Sequence, residues 1–325
     1  MGANQRAGIA IPHFRFSFFS RGPPKLLRKR GNSLQIMRLL AAVDPSPEGL
    51  QAAHTGARLA SAAAGDLLVL AVVDKPARPP VAGRGKLDAF AADRLLREVE
   101  ARLRPDLGTA RARYRVGSGV PAVEITRLAD QEAVDLIVLG RKWRTRVERW
   151  VVGDTADATA RRARVPCLFV HAEPPAFGRI LAAVDAGPAT RDILQAAFAV
   201  SRIHGGKVLT LHVERPPGAA EAAAPRTLTM RHAEFLTEAA REVLQQESEA
   251  PPTALAVEGE TEAACDILVR QGDPVDEILK AVREEGIDLL VIGHHRGGPP
   301  GGGEAACTAP RLLHRAPCAV LTVPL

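Results

Sequence analysis

Aromatic side chains are scarce in this chain: Phe, Trp and Tyr make up 4% of it, so Ala, Val and Leu must fill the core. Cysteine is scarce too. The four thiols, Cys167, Cys265, Cys307 and Cys318, form no C-x-x-C pair. That excludes a disulfide-stapled scaffold and fits a reducing cytoplasm. Cys167 and Cys318 each follow a proline and open an apolar run, as small buried hydrophobes do. No apolar run approaches the roughly 18 residues that span a bilayer, so no membrane partner is expected. Three catalytic or nucleotide signatures are also missing. There is no G-x-x-x-x-G-K-[ST] P-loop, no G-x-G-x-x-G after the first strand and no G-x-S-x-G elbow.

The formal charge of +6 vanishes once it is located. Residues 1–36 hold seven basic residues and no acidic one, which leaves 36 basic against 37 acidic residues in the rest. The high pI therefore belongs to the leading stretch, and the folded body makes no electrostatic case for nucleic acid. "HFRFSFFSRGPPKLLRKRGN" has no sustained period and carries a Pro-Pro break. It reads as a disordered basic extension or a start assigned too early, because Met37 stands directly before the first strand.

What the chain does contain is itself, twice. "RLLAAVD" (38–44) returns as "RILAAVD" (179–185), and "LLVLAVVD" (67–74) as "VLTLHVE" (208–214). "VGSGVPAVEI" (116–125) returns as "VRQGDPVDEI" (269–278), and "VDLIVLG" (134–140) as "IDLLVIG" (287–293). "RARVPCLFV" (162–170) returns as "LHRAPCAVL" (313–321). A period this long marks duplicated domains rather than a solenoid. The expected units are residues 37–172 and 179–325, joined by a Pro-containing linker at 173–178.

Each copy alternates short apolar, β-rich runs with helix-period stretches. In the first copy strands are expected near 38–43, 67–73, 111–116, 134–139 and 166–171. Helices are expected near 47–64, 86–104, 120–132 and 154–164. Ser46 can cap the first helix, and Pro47 suits its first position. The strands are apolar on nearly every residue, as when both faces are covered. The second copy follows the same plan, with an acidic helix near 228–249. Alternating β and α elements with right-handed crossovers predict a doubly wound parallel sheet.

Open α/β sheets bind ligands beyond the carboxyl ends of strands, where strand order reverses. With the first strand central, Asp44 and Gly140 flank that crevice. "GRKWRTRVERWVVGDT" (140–155) is then the loop leading to the last helix, whose N-terminus favours an anion. Arg141, Lys142, Arg144, Arg146 and Arg149 are candidate phosphate donors in it. His294, His295 and Cys307 suggest zinc only weakly. Adjacent histidines point in different directions and no fourth ligand has suitable spacing, so no metal is expected. No catalytic set is visible either.

The ordered set of "LLAAVD", G-x-P before a helix, "VDLIVLG", a glycine-containing loop and "PC" before an apolar run resembles tandem universal stress protein domains over about residues 37–325. The resemblance implies two Rossmann-like domains, each a five-stranded parallel sheet with helices on both faces. One branch of that family binds ATP through G-x2-G-x9-G-[S/T]; another lacks the pattern and binds no nucleotide. By resemblance, Asp44 and Asp185 match the aspartate near the adenosine, and Val72 and Val213 the valine at the base. Gly140 and Gly293 match the first loop glycine, and Gly153 the third. The second glycine is Trp143 in the first copy and Arg296 in the second. Asp154 stands at the hydroxyl position, with Thr155 one further on. The second copy has Glu304 and Ala305 where the first has Gly153 and Asp154.

These departures point to a degenerate nucleotide site, with the first domain the better candidate for ATP. The resemblance also implies an intrachain pseudo-dimer whose last strands, "CLFV" (167–170) and "CAVLTV" (318–323), pair across the domain interface. A further homodimer and a protein partner are implied in the same way. The reading is a cytoplasmic stress-response module. Slow ATP hydrolysis in the first domain and a scaffold that binds no nucleotide are the alternatives.

Overall fold

The computed structural model describes residues 38–74, 87–141, 155–214, 225–248, 265–295 and 308–325. The first half runs β1 (Arg38–Val43), α1 (Pro47–Ala62), β2 (Asp66–Asp74), α2 (Ala89–Leu107), β3 (Arg111–Gly119), α3 (Pro121–Gln131), β4 (Leu136–Gly140), α4 (Thr155–Arg162) and β5 (Cys167–Val170). The second half runs β6 (Arg179–Val184), α5 (Thr190–His204), β7 (Lys207–Glu214), α6 (Pro225–Ser248), β8 (Cys265–Gln271), α7 (Pro274–Glu284), β9 (Leu289–His294), α8 (Thr308–Arg315) and β10 (Ala319–Pro324). The expected elements are present in the expected order, with β3 continuing three residues past its predicted end.

The repeated residues do the same work in both copies. Asp135 accepts a hydrogen bond from the Arg38 amide at 2.9 Å, and Asp288 accepts the equivalent bond from Arg179 at 2.9 Å. Each bond ties the start of the central strand to the turn before its neighbour. The G-x-P motifs are alike too. Gly119 and Gly272 take φ of +135° and +152°, a region in which side chains are strained. The proline two residues on then opens α3 or α7, where its missing N–H costs nothing.

All ten strands form one sheet in the order β3-β2-β1-β4-β5-β10-β9-β6-β7-β8. Neighbours within each half are parallel, so each half is a five-stranded, doubly wound domain. The seam is antiparallel. Phe169 pairs with Val320, Leu168 with Leu321 and Cys167 with Thr322. This is the expected pairing of last strands, and it hides an edge that either domain alone would expose.

One apolar cluster covers each face of the sheet, and both run across the seam. Leu168 and Leu321 belong to the cluster under α1, α2, α5 and α6. Phe169 and Val320 belong to the one under α3, α4, α7 and α8. Each such side chain is worth about 1.5–3 kcal/mol when fully buried. Cys167 and Cys318 are free and buried within this seam, as their apolar contexts predict. Burial pushes both thiols up, Cys318 to about 11, which disfavours the nucleophilic thiolate.

Candidate ligand-binding crevices of the two domains

Strand order reverses at β1/β4 in the first domain and at β6/β9 in the second. These two points are pseudo-equivalent, yet their surroundings differ.

In the first domain the end of β1 leads directly into α1. Ser46 caps this helix: its hydroxyl accepts from the Gly49 amide at 3.1 Å and donates to Asp44 Oδ1. Asp44 Oδ1 also accepts from the Ser46 amide at 3.1 Å. The carboxylate thus shapes the turn into the helix. Asp44 lines a recess of about 390 Å³ toward α2, shared with Leu95, Glu98 and Arg102; neither Val72 nor Gly140 lines it. Gly140 has another neighbour. A Cβ there would lie 2.4 Å from the Glu48 carbonyl carbon and 2.5 Å from its oxygen. Gly140 therefore lets the first turn of α1 settle onto the end of β4.

Arg141 departs from expectation most. As a phosphate donor it would face the crevice; instead it is 5% exposed and crosses into the other domain. Its guanidinium donates to the carbonyls of Leu313, Ala316 at 2.9 Å and Cys318 at 3.1 Å, around the C-terminus of α8. It also meets His171 Nε2 at 2.8 Å. Burial and then the Arg141 charge hold the His171 imidazole below its ordinary pKa, which leaves that nitrogen free to accept. A cation on the negative end of a helix dipole is well placed, and a forked donor satisfies several carbonyls at once. Lys142, Trp143, Arg144, Arg146, Arg149, Gly153 and Asp154 lie outside the described residues. Thr155 opens α4, and its carbonyl accepts from the Thr159 hydroxyl at 2.6 Å.

In the second domain Asp185, Val213 and Gly293 all line one cavity of about 580 Å³ at the end of β6 and β9. The larger described cavity thus lies in the copy the sequence disfavoured. Its walls include Leu211, Ile278 and Ile292, and polar groups enter from Asp185, Asp157 and His294. Asp185 is exposed and shapes its turn by accepting from the Gly187 amide at 3.0 Å. The intervening Ala186 has φ +56°. No side chain caps α5 here, because Ala189 holds that place.

His294 is 6% exposed and lies on the wall, while His295 is exposed, so the adjacent histidines do diverge as expected. His294 Nδ1 has no hydrogen-bond partner among the described residues. Burial, reinforced by the Arg161 charge, holds this imidazole below its ordinary pKa. Asp157 of α4 reaches across to His314 of α8 at 2.5 Å, so both domains contribute to this wall. Cys307, Arg296, Glu304 and Ala305 lie outside the described residues.

Register makes the comparison of copies firm. Val43 pairs with Ala71 and Val184 with His212. Val72 and Val213 are therefore equivalent, one residue further along. The same register sets Ala71 against His212 and Val73 against Glu214. Sequence reasoning passed over that pair. "HVE" was the available signal, a histidine and a glutamate two apart on one strand face.

Comparison with known proteins agrees with this architecture. The model of the universal stress protein family matches residues 35–171 and again 176–324. A universal stress protein of Methanocaldococcus jannaschii is 40% identical over 52 residues, which is 16% of this chain and 31% of that protein. The chain therefore spans about a third of that relative's length. A universal stress protein from Archaeoglobus fulgidus has a similar fold, with TM-score 0.63 and 18% identity over 88% of this chain and 96% of that one. A functionally unknown protein from Pseudomonas aeruginosa PAO1 follows at TM-score 0.57 and 16% identity, over 89% of this chain and 92% of that one.

Proposed function

This chain belongs to the universal stress protein family in both of its halves. On that premise we propose a cytoplasmic stress-response module in which the second domain holds an adenine-bearing small molecule and the first no longer holds ATP. The observation that carries this reading is the cavity of about 580 Å³ on which Asp185, Val213 and Gly293 converge. Its volume falls within the range of small-molecule sites. Apolar side chains on its walls suit the faces of a base, and the Asp185 carboxylate suits the hydroxyls of a ribose. A buried His294 on the wall, its imidazole held below its ordinary pKa by burial, suits a single directional hydrogen bond. On the first-domain side, the contact of Gly140 with α1 and the commitment of Arg141 to α8 both speak against a phosphate there. No catalytic step is assigned.

Calorimetric titration of the full-length chain with adenosine, AMP and ATP tests this. Asp185→Asn is expected to weaken binding at least tenfold, and Asp44→Asn to leave it unchanged. The opposite pattern would return the site to the first domain. Absence of saturable binding at millimolar ligand would leave the scaffold reading in its place.

A further inference from the structure

The face of β7 that packs under α5 and α6 carries Thr210, His212 and Glu214, which are 0%, 6% and 8% exposed. By register, the equivalent residues of the first domain are Val69, Ala71 and Val73. Buried polar groups in place of apolar ones destabilise a fold unless each finds a partner. The partners here are arranged around one point. His232, on α6, brings Nδ1 to 3.0 Å from Glu214 Oε1. One ligand atom each from His212, Glu214 and His232 lies within 4.8 Å of the other two. The rings of His212 and His232 meet edge to face, with centroids 4.7 Å apart.

Outer contacts hold each group in a ligating pose. His212 Nδ1 bonds the Val184 carbonyl at 3.0 Å, which makes Nδ1 the protonated nitrogen and leaves Nε2 with a lone pair. Glu214 Oε2 accepts from the Thr229 hydroxyl at 2.8 Å and from Gln271 Nε2 at 3.3 Å. Those bonds anchor one carboxylate oxygen and direct the other at His232. Fixing imidazole tautomers and anchoring carboxylates through outer-shell bonds is how proteins prepare metal ligands.

We propose that His212, Glu214 and His232 form a binding site for a divalent transition-metal ion, with zinc as its probe. Two imidazoles and one carboxylate are a borderline-soft set that zinc accepts in four-coordinate sites with one position left to water or substrate. For ligands about 2.0–2.1 Å from zinc, the tetrahedral edge is roughly 3.3 Å. The His232–Glu214 pair, at 3.0 Å, is already close to it, and the His212 ligand atom lies within 4.8 Å of both. His212 also lines the second-domain cavity, so the ion would sit in the wall of that cavity. The site needs no nucleotide, and it stands or falls separately from the ligand reading above.

The untagged full-length chain, freed of metal by chelation and without nucleotide, is titrated with Zn²⁺ in competition with a chromophoric chelator. One equivalent is expected to bind, and Co²⁺ in its place is expected to give the visible absorption of a tetrahedral site. Glu214→Gln keeps the side chain's shape but weakens ligation; it and His232→Asn are each expected to reduce Zn²⁺ affinity at least tenfold. His314→Asn, on the same cavity but outside the cluster, is expected to bind as the parent does. Thermal unfolding with and without Zn²⁺ gives a second reading. The ion should raise the parent's midpoint and leave that of Glu214→Gln unmoved. Absence of stoichiometric binding, or binding unchanged in both cluster variants, would overturn the site and leave the three residues as a buried hydrogen-bonded group. Unfolding of one variant leaves the other to decide, since they lie on different elements.

Discussion

Arg141 stands one residue past the end of β4, and its guanidinium satisfies carbonyls 172 to 177 residues away. Replacing it with Met would keep much of the stem but leave three buried carbonyls without their donor. Arg141→Met is expected to lower the unfolding free energy by about 2–4 kcal/mol. Arg141→Lys should recover only part, because an ammonium lacks the planar fork. Urea unfolding of the full-length chain measures both. An Arg141→Met chain as stable as the parent would remove Arg141 from the interface account. The sequence showed Arg141 as a basic residue near a phosphate loop, and no local signal marks a partner so distant. Gly140 is a similar case. Its absent Cβ makes room for the Glu48 carbonyl, a contact that only the docking of α1 on β4 creates.

At the scale of the element, the most legible features were those whose partners are near in sequence. Ser46, Pro47 and the α1 register follow from residues within one helical turn, and the cap forms as read. Ser46→Ala is expected to cost about 1 kcal/mol, within a range of roughly 0.5–2 kcal/mol for lost caps. It should also release Asp44 Oδ1 from its hydroxyl partner. Thermal unfolding checks the first effect, and an unchanged midpoint would mean Asp44 caps α1 alone. In sequence β7 reads as an apolar strand, and alternation hides its polar stripe: Leu209, Leu211 and Val213 face one core while Thr210, His212 and Glu214 face the other. His232, which completes the group, arrives from α6 only after that helix packs across the strand.

For the whole molecule, three partly buried histidines make stability depend on pH. Burial, with the charge of Arg58, pushes His204 down to about 4. Burial likewise lowers His171 and His294. An unfolded chain holds these imidazoles near 6.5, so between about pH 6.5 and 4 it binds more protons than the folded chain. This contribution is complete above about pH 6.5 and is lost as pH falls below it. The urea midpoint is expected to drop between pH 7.5 and 5, and to drop less in His204→Phe, which keeps a ring against Phe177. An equal drop in that variant would assign the effect to other groups.

Sequence by itself determined the duplication, the order of strands and helices in each half and the helix starts. All of these follow from periodicity, local capping and the repetition of one pattern, which need no knowledge of distant neighbours. Tertiary structure alone decided how two like halves became unlike. It set the Glu48 backbone against Gly140, drew Arg141 into the other domain and opened the cavity between Asp185 and Gly293. It also brought His232 to His212 and Glu214. Each depends on side chains that meet only when helices and domains dock, and docking acts on volume and unsatisfied polar groups rather than on residue order.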